Sequence, residues 1–378
     1  MKHKGLEESN IIKLLKQKKK SDIGFNKVLS TMCTKPHPIA IKAHLMFIES
    51  NIGDSGLFPG TSSMENTVIT SLSQLLNNKN AYGYITTGGT ESNIQALRSI
   101  KNISDSTNPN IIVPESAHFS FDKISNLLDI EIKKASLDNS FKVDLKSVKK
   151  LIDHNTIALV GIAGTTEFGQ IDPIESLSEI AIKNKLFLHI DAAFGGFVIP
   201  FLDKKYIFDF LVPGVTSISL DPHKMGFSTI PSGVILFRNK MFLDNLETST
   251  PYLTSKSQYS LTGTRTGATV AATFAVLKYL GQEGYSKYVE YCMYLTNKLI
   301  SGAHKIQIYP LIDPVMNVVV LQVNKPEEVR NYLREKYGWY VSITRNPKCL
   351  RIILMPHITE NDVEHFLIDL EKTVEYLK

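Results

Sequence analysis

The sequence predicts an α/β protein in which a mainly parallel sheet forms a large domain and a smaller α+β domain closes the chain. Three observations predict it. Short apolar runs recur at Tyr82 to Thr86, Ile111-Ile112-Val113, Ile157 to Ile162, Leu186 to Ile190, Ser217 to Leu220 and Val234 to Phe237. Helical segments separate most of these runs, and short buried strands alternating with helices pack as a mainly parallel sheet. After Gly267 the alternation gives way to longer helical patterns.

Taken in order, residues 6 to 20 read as an amphipathic helix. The stretch from Cys33 to Gly60 is punctuated by Pro and Gly and has no clear period, which marks an irregular segment that is functional or wraps a partner subunit. A helix from Met64 to Asn77 leads into the first strand, and a second runs from Thr90 to Ile100. Beyond Gly267, residues 268 to 302 read as one long helix or a broken pair interrupted near Gly281 and Gly284. A strand pair at Ile306-Gln307-Ile308 and Val318 to Val323, a helix from Pro326 to Lys336, a strand from Leu350 to Met355 and a closing helix from Glu360 to Leu377 complete the reading. The expected division is an N-terminal helix and irregular segment over 1–61, a ligand-binding large domain over 62–267 and a small domain over 268–378.

Composition narrows the function classes. With 378 residues and 43% hydrophobic content the chain can bury a large core, and its net charge of +5 is modest. The basic run Lys16-Gln17-Lys18-Lys19-Lys20 reads as a solvated helix end rather than a nucleic-acid site. Cys33, Cys292 and Cys349 are far apart without CxxC spacing, so neither a disulfide framework nor a zinc site is expected. The first residues carry no apolar stretch of a signal peptide, and no segment approaches the roughly 18 apolar residues of a membrane span, so a cytoplasmic protein is expected.

Chemistry gathers where the apolar runs end. Gly88-Gly89-Thr90-Glu91-Ser92-Asn93 follows a strand and opens a helix, where unpaired amides and the helix dipole favour a phosphate; the same pattern also describes a plain turn with a helix cap. Asp191 ends the run Leu186 to Ile190 and is followed by Ala192-Ala193-Phe194-Gly195-Gly196. A carboxylate there calls for a cationic partner, such as a protonated pyridine nitrogen, or else caps the next turn. In Asp221-Pro222-His223-Lys224-Met225-Gly226 a lysine sits in a constrained loop after a strand. A desolvated lysine near other cations loses its proton readily and can form a Schiff base with an aldehyde. His118 follows another strand, placed to stack on a ring in the same layer.

With Thr90-Glu91-Ser92-Asn93, His118, Asp191-Ala192-Ala193 and His223-Lys224 in that order, the chain resembles the group II pyridoxal-phosphate decarboxylases over nearly its full length. It looks closest to the archaeal branch acting on tyrosine or aspartate, to which Met32-Cys33-Thr34-Lys35-Pro36-His37-Pro38, Gly53 to Gly60 and Leu261-Thr262-Gly263-Thr264-Arg265 are also similar. The resemblance implies a fold-type I pyridoxal-phosphate enzyme with Lys224 carrying the cofactor, Asp191 on the pyridine nitrogen and His118 on the ring. It further implies phosphate contacts from Gly88, Gly89, Thr90 and His223, with Ser217 or Ser219 nearby, and Thr165 and Ala193 beside the cofactor. Arg351 would hold the substrate carboxylate and Tyr252, on a closing loop around 245 to 262, would donate the final proton, with Lys224 or His223 as other donors. Gly263 and Thr264 would reach the phosphate region of a partner subunit, so a homodimer is implied.

The implied reaction is decarboxylation of an L-amino acid, with tyrosine favoured over aspartate. Tyramine would serve methanofuran synthesis in a methanogen, and β-alanine would serve coenzyme A. The irregular segment offers Met32, Phe47 and Phe58 to an apolar substrate and Lys35, His37 and His44 to an acidic one. A carbon–carbon lyase of the sphingosine-phosphate type, a cysteine desulfurase using Cys349, and a non-catalytic pyridoxal-binding protein share the cofactor fold and stand as alternatives.

Overall fold

The computed structural model describes residues 4–80 and 82–378. Helix α1 (Glu8–Lys19) is the predicted amphipathic helix, but it buries none of its residues. Helix α2 (Pro38–Met46) lies within the segment expected to be irregular. The His37 ring accepts the Ile39 N–H and Pro38 starts the helix, a sound N-terminus. Only Ala40 of α2 is buried, while Ile41, Leu45 and Met46 are exposed, so its apolar residues follow no helical period that a sequence could reveal. Helix α3 (Pro59–Leu75) begins earlier than Met64 because Pro59 serves as its first turn.

The large unit then alternates as predicted: β1 (Tyr82–Thr86), α4 (Gly89–Ile103), β2 (Asn110–Pro114), α5 (Ser120–Leu128), β3 (Glu131–Ala135), α6 (Leu145–Leu151), β4 (Thr156–Ile162), α7 (Ile174–Lys183), β5 (Phe187–Asp191), β6 (Val215–Leu220) and β7 (Gly233–Phe237). The seven strands form one sheet in the order β1-β7-β6-β5-β4-β2-β3. Strand β7 runs against its neighbours β1 and β6, whereas β6-β5-β4-β2-β3 are parallel. Strands β2 and β4 are wholly buried, as near-continuous apolar runs require. Strand β3 escaped the pattern reading because its edge position carries Lys133 and Lys134, charges that suit an exposed sheet edge.

After the short helix α8 (Lys240–Asp244), the pair β8 (Thr248–Ser249) and β9 (Ser257–Gln258) makes a small hairpin. Helix α9 (Gly267–Lys305) is the predicted long helix, broken at Gly281, whose φ of 56° and ψ of −170° are non-helical. The last elements are β10 (Val318–Leu321), α10 (Pro326–Tyr337), β11 (Ser342–Ile343), β12 (Leu350–Ile353) and α11 (Glu360–Tyr376). Ile306-Gln307-Ile308 is not a strand: α9 runs to Lys305, Gln307 turns the chain at φ 58°, and β10 pairs with β12 instead. Core membership changes inside α9, between Cys292 and Leu295, later than the change of pattern at 268. Leu29 joins the C-terminal core, where its N–H and C=O bond Tyr340 and Ile353, so an N-terminal strap extends the small sheet.

A buried carboxylate stiffens the end of β4. Asp172 accepts the N–H of Val143 and of Ile162, each at 2.8 Å, and burial pushes its carboxyl up to about 6 despite those donors. A raised folded-state value means the folded protein holds the proton more tightly than the unfolded chain. Stability should therefore fall as pH rises from about 4 to about 6, by on the order of 3 kcal/mol for this group alone. Asp172→Asn removes that contribution, so its melting temperature should vary less with pH across this window than that of the wild type. An identical slope in calorimetry would contradict the assignment.

Candidate active site

Five strand ends meet at one edge of the sheet. Thr87 to Thr90 follow β1, His118 follows β2, Gly164 and Thr166 follow β4, Asp191 ends β5, and Asp221, His223 and Lys224 follow β6; all line one cavity of about 280 Å³, with Met32 of the N-terminal strap. The carboxyl edge of a parallel sheet is where such folds place ligands, because helix N-termini converge there.

The wall beneath α4 is built from the absence of side chains. Gly88 has φ 147°, a region other residues rarely adopt, and a Cβ there would lie 3.3 Å from His223 Cε1. A Cβ on Gly89 would stand 3.0 Å from Ala193 Cβ and 3.1 Å from Asp221 Oδ2. Backbone amides at the start of α4 can thus approach an anionic group closely. Gly88→Ala should weaken cofactor binding about 5- to 150-fold, from strain of roughly 1–3 kcal/mol. Equilibrium dialysis giving an unchanged dissociation constant would contradict that reading of the wall.

Lys224 Nζ lies 2.9 Å from Asp221 Oδ2, and His223 Nε2 is 3.8 Å from the same oxygen. The expectation of a lysine that sheds its proton is corrected here. Burial does pull Lys224 down, but the charges of Asp221 and Asp191 outweigh it and hold the amine above its ordinary value. No local sequence pattern marks Asp221, whose Oδ1 is buried without a partner among the described residues. His118 accepts the Ser120 N–H at 3.2 Å, and burial lowers its pKa, favouring a neutral ring. Asp191 is held from several sides: Oδ2 accepts Asn93 Nδ2 at 2.9 Å, and Oδ1 accepts the Ala193 N–H at 3.0 Å and Ser219 Oγ at 3.4 Å.

Several predicted residues lie elsewhere. Ser217 is engaged by His189 Nδ1 at 2.9 Å and does not line the cavity; Ser219 reaches it only through Asp191. Thr165 turns its hydroxyl to the Gln170 N–H, so its neighbours Gly164 and Thr166 face the cavity instead. His37 packs its ring 4.9 Å from that of Tyr279 and is outside the lining. Tyr252 is 85% exposed between β8 and β9, where Thr254 is hydrogen-bonded to Asp54, and it too lies outside its own chain's cavity. Gly263 and Thr264 are likewise exposed and apart from that cavity, while Arg265 is half-buried against Glu65 and the Ile85 carbonyl.

Arg351 is buried in β12 behind the strap. One nitrogen, Nη1, donates to the Ser30 carbonyl at 3.1 Å and to Ser342 Oγ at 3.0 Å, whereas Nε has no partner among the described residues. Burial, partly opposed by Glu167, brings its guanidinium down to about 10. Arg345, between β11 and β12, pairs with Glu167 and donates to the Glu115 carbonyl. Cys349 is buried against Phe168 and Val320, which removes it from the mobile position a desulfurase thiol needs.

A seven-stranded, mainly parallel sheet with lysine, carboxylate, histidine and a glycine-walled helix start at its carboxyl edge defines an enzyme of the fold-type I pyridoxal-phosphate class. The Pyridoxal-dependent decarboxylase conserved domain matches residues 44–323, and the chain belongs to that family. It is 57% identical over 395 residues to a probable L-tyrosine/L-aspartate decarboxylase of Methanosarcina barkeri, covering 100% of both chains. It is 48% identical over 365 residues to a probable L-aspartate decarboxylase of Archaeoglobus fulgidus, covering 97% of this chain and 99% of that one. Among solved structures, sphingosine-1-phosphate lyase of Burkholderia pseudomallei superposes with a TM-score of 0.91 at 26% identity, over 99% of this chain and 92% of that one. Glutamate decarboxylase of Lactobacillus brevis, at 20% identity and TM-score 0.91 over 100% and 94% of the chains, shares the fold.

The chain is therefore a pyridoxal-phosphate-dependent carboxy-lyase of amino acids. Its residues fit the cofactor: a wall that two Cβ atoms would obstruct, a lysine in the cavity and a carboxylate supplied with donors from three sides. Among the described residues, no helix is long and apolar enough to cross a membrane.

Proposed function

We propose that the amino acid decarboxylated is L-tyrosine, released as tyramine, and that the site works with residues from two copies of the chain. The carrying observation is the cavity lining: Met32, Ile162 and Phe194 supply apolar surface, and Lys224 is the only lysine or arginine among the lining residues. Aspartate carries a second carboxylate and would call for a second cation besides Arg351. The aspartate reading keeps one specific support, the name of the Archaeoglobus relative, whereas the Methanosarcina relative is named for both amino acids.

Bound pyridoxal phosphate supplies an aldehyde that joins an amine and a conjugated ring that accepts the electron pair of the breaking bond. Lys224 would offer the amine that anchors it. The start of α4, from Gly88 to Thr90, with His223, takes the phosphate. Asp191 keeps the ring nitrogen protonated, and the neutral His118 covers one ring face. Arg351, outside the cavity lining but with an unpartnered Nε, would orient the substrate carboxylate, and orientation is where proximity lowers the barrier. Lys224 or His223 can return a proton to Cα from within the cavity. Tyr252, outside its own cavity, would do so only after its hairpin moves or across a dimer interface.

Exposed apolar residues support a homodimer: Leu6, Ile11, Ile12, Leu14 and Leu15 on or beside α1, and Ile41, Leu45, Met46, Ile48 and Leu57 nearby in sequence. So many exposed side chains on two helices suit a covered face. A competition assay tests the substrate: purified protein with cofactor receives equimolar L-tyrosine and L-aspartate, and mass spectrometry identifies the amines. Tyramine in excess is expected. β-Alanine with tyrosine left intact would replace tyrosine by aspartate.

A further inference from the structure

Behind Asp191 lies a line of buried polar side chains that the roles above do not use. Asn93 Nδ2 donates to Asp191 Oδ2 at 2.9 Å, Asn93 Oδ1 is 3.0 Å from His189 Nε2, and His189 Nδ1 is 2.9 Å from Ser217 Oγ. All four residues are buried. Their chemistry fixes the direction of every bond. An ionised carboxylate only accepts, so Asn93 must present its NH2 to Asp191. Its carbonyl oxygen must then accept, so His189 carries its proton on Nε2. That leaves Nδ1 as an acceptor, which only the Ser217 hydroxyl proton can satisfy.

We infer that Asn93 and His189 are positioning residues for the cofactor's ring nitrogen, a one-directional relay from Ser217 that holds the Asp191 carboxylate in a single orientation. The inference rests on the reading of Asp191 as the ring-nitrogen partner. Burial lowers the imidazole of His189 to about 4, against the opposing charge of Asp191, so the ring is neutral near pH 7 and adds direction rather than charge. The Ala193 N–H and Ser219 hydroxyl hold the other carboxylate oxygen in place. Without His189 the Asn93 amide can flip and turn its oxygen toward Asp191, oxygen against oxygen. His189 thus acts one residue removed from the carboxylate and touches neither substrate nor cofactor.

The first test needs no variant, cofactor or turnover. Nitrogen-15 NMR of histidine-labelled protein at pH 7 should show His189 neutral with its proton on Nε2; a proton on Nδ1, or a charged ring, overturns the inference. The second uses pyridoxal phosphate labelled at the ring nitrogen. His189→Leu should weaken cofactor binding about tenfold or more and shift the ring-nitrogen resonance toward its unprotonated value. His189→Gln, which can still donate to Asn93, should stay within about threefold of the wild type. A folded His189→Leu protein with wild-type affinity and an unshifted resonance would refute the relay. If that variant fails to fold, the tautomer and the glutamine variant decide. These readouts are independent of the amino acid consumed, so an error in substrate or reaction class would leave them unchanged.

Discussion

Lys224→Ala protein is expected to lack the visible absorption band of lysine-bound cofactor and to lose turnover by more than about 10³-fold. The size follows from two roles that reside in one side chain. Lys224 is the one lysine among the cavity-lining residues, and under the proposed function it would both anchor the aldehyde and, with His223, be within the cavity to return a proton to Cα. Proton transfer by a positioned group alone accounts for roughly 10²–10⁴-fold. Asp221, 2.9 Å away, favours the charged form of the amine, so Lys224 would have to give up its proton, with Asp221 the base within reach, before it could serve as a nucleophile. Lys224→Arg keeps the charge beside Asp221 without the nucleophile and should be as inactive as alanine, which separates chemistry from folding. Turnover by either variant near the wild-type rate would remove the basis for the site.

The second large effect is expected at Asp191. Replacing it by alanine leaves the Ala193 N–H unpaired and the Asn93 NH2 with only Ser120 Oγ at 3.4 Å in a buried environment, and under the proposed role it would deprive the ring nitrogen of its counter-charge. Breaking a buried ion pair by removing one partner costs about 3–5 kcal/mol, so cofactor affinity should fall about 10²–10³-fold or more. Asp191→Glu retains the charge but pushes the carboxylate one methylene beyond the reach set by Asn93, and it should recover only part of the loss. Cofactor titration by fluorescence reads both variants. Affinity unchanged in the alanine protein would mean that the ring nitrogen pairs elsewhere.

Much of the site was legible because strand ends are legible. An apolar run that stops at a charged or small residue marks the carboxyl edge of a buried parallel strand, and His118, Asp191 and Lys224 each follow such a run. What could not be read depends on register between strands. Ser217 and Ser219 share one face of β6, yet pairing with His189 and Asp191 of β5 decides that the first serves a histidine and the second the carboxylate. Asn93 meets Asp191 across 98 residues of sequence, a pairing no local pattern carries. The missed helix α2 shows the opposite limit, since a helix that buries a single residue leaves no periodic trace. Nor could sequence reveal that Asp221 reverses the expected shift of Lys224, because that depends on a 2.9 Å approach within one loop.

The central claim, cofactor-dependent decarboxylation of an amino acid, is tested most directly with substrate labelled at the carboxyl carbon. Protein reconstituted with pyridoxal phosphate and given carboxyl-13C L-tyrosine, or the equally labelled L-aspartate, should release labelled carbon dioxide and the matching amine in equal amounts, with none released by Lys224→Ala. Formation of a keto acid with the label retained, or labelled carbon dioxide released equally by the Lys224→Ala protein, would contradict it.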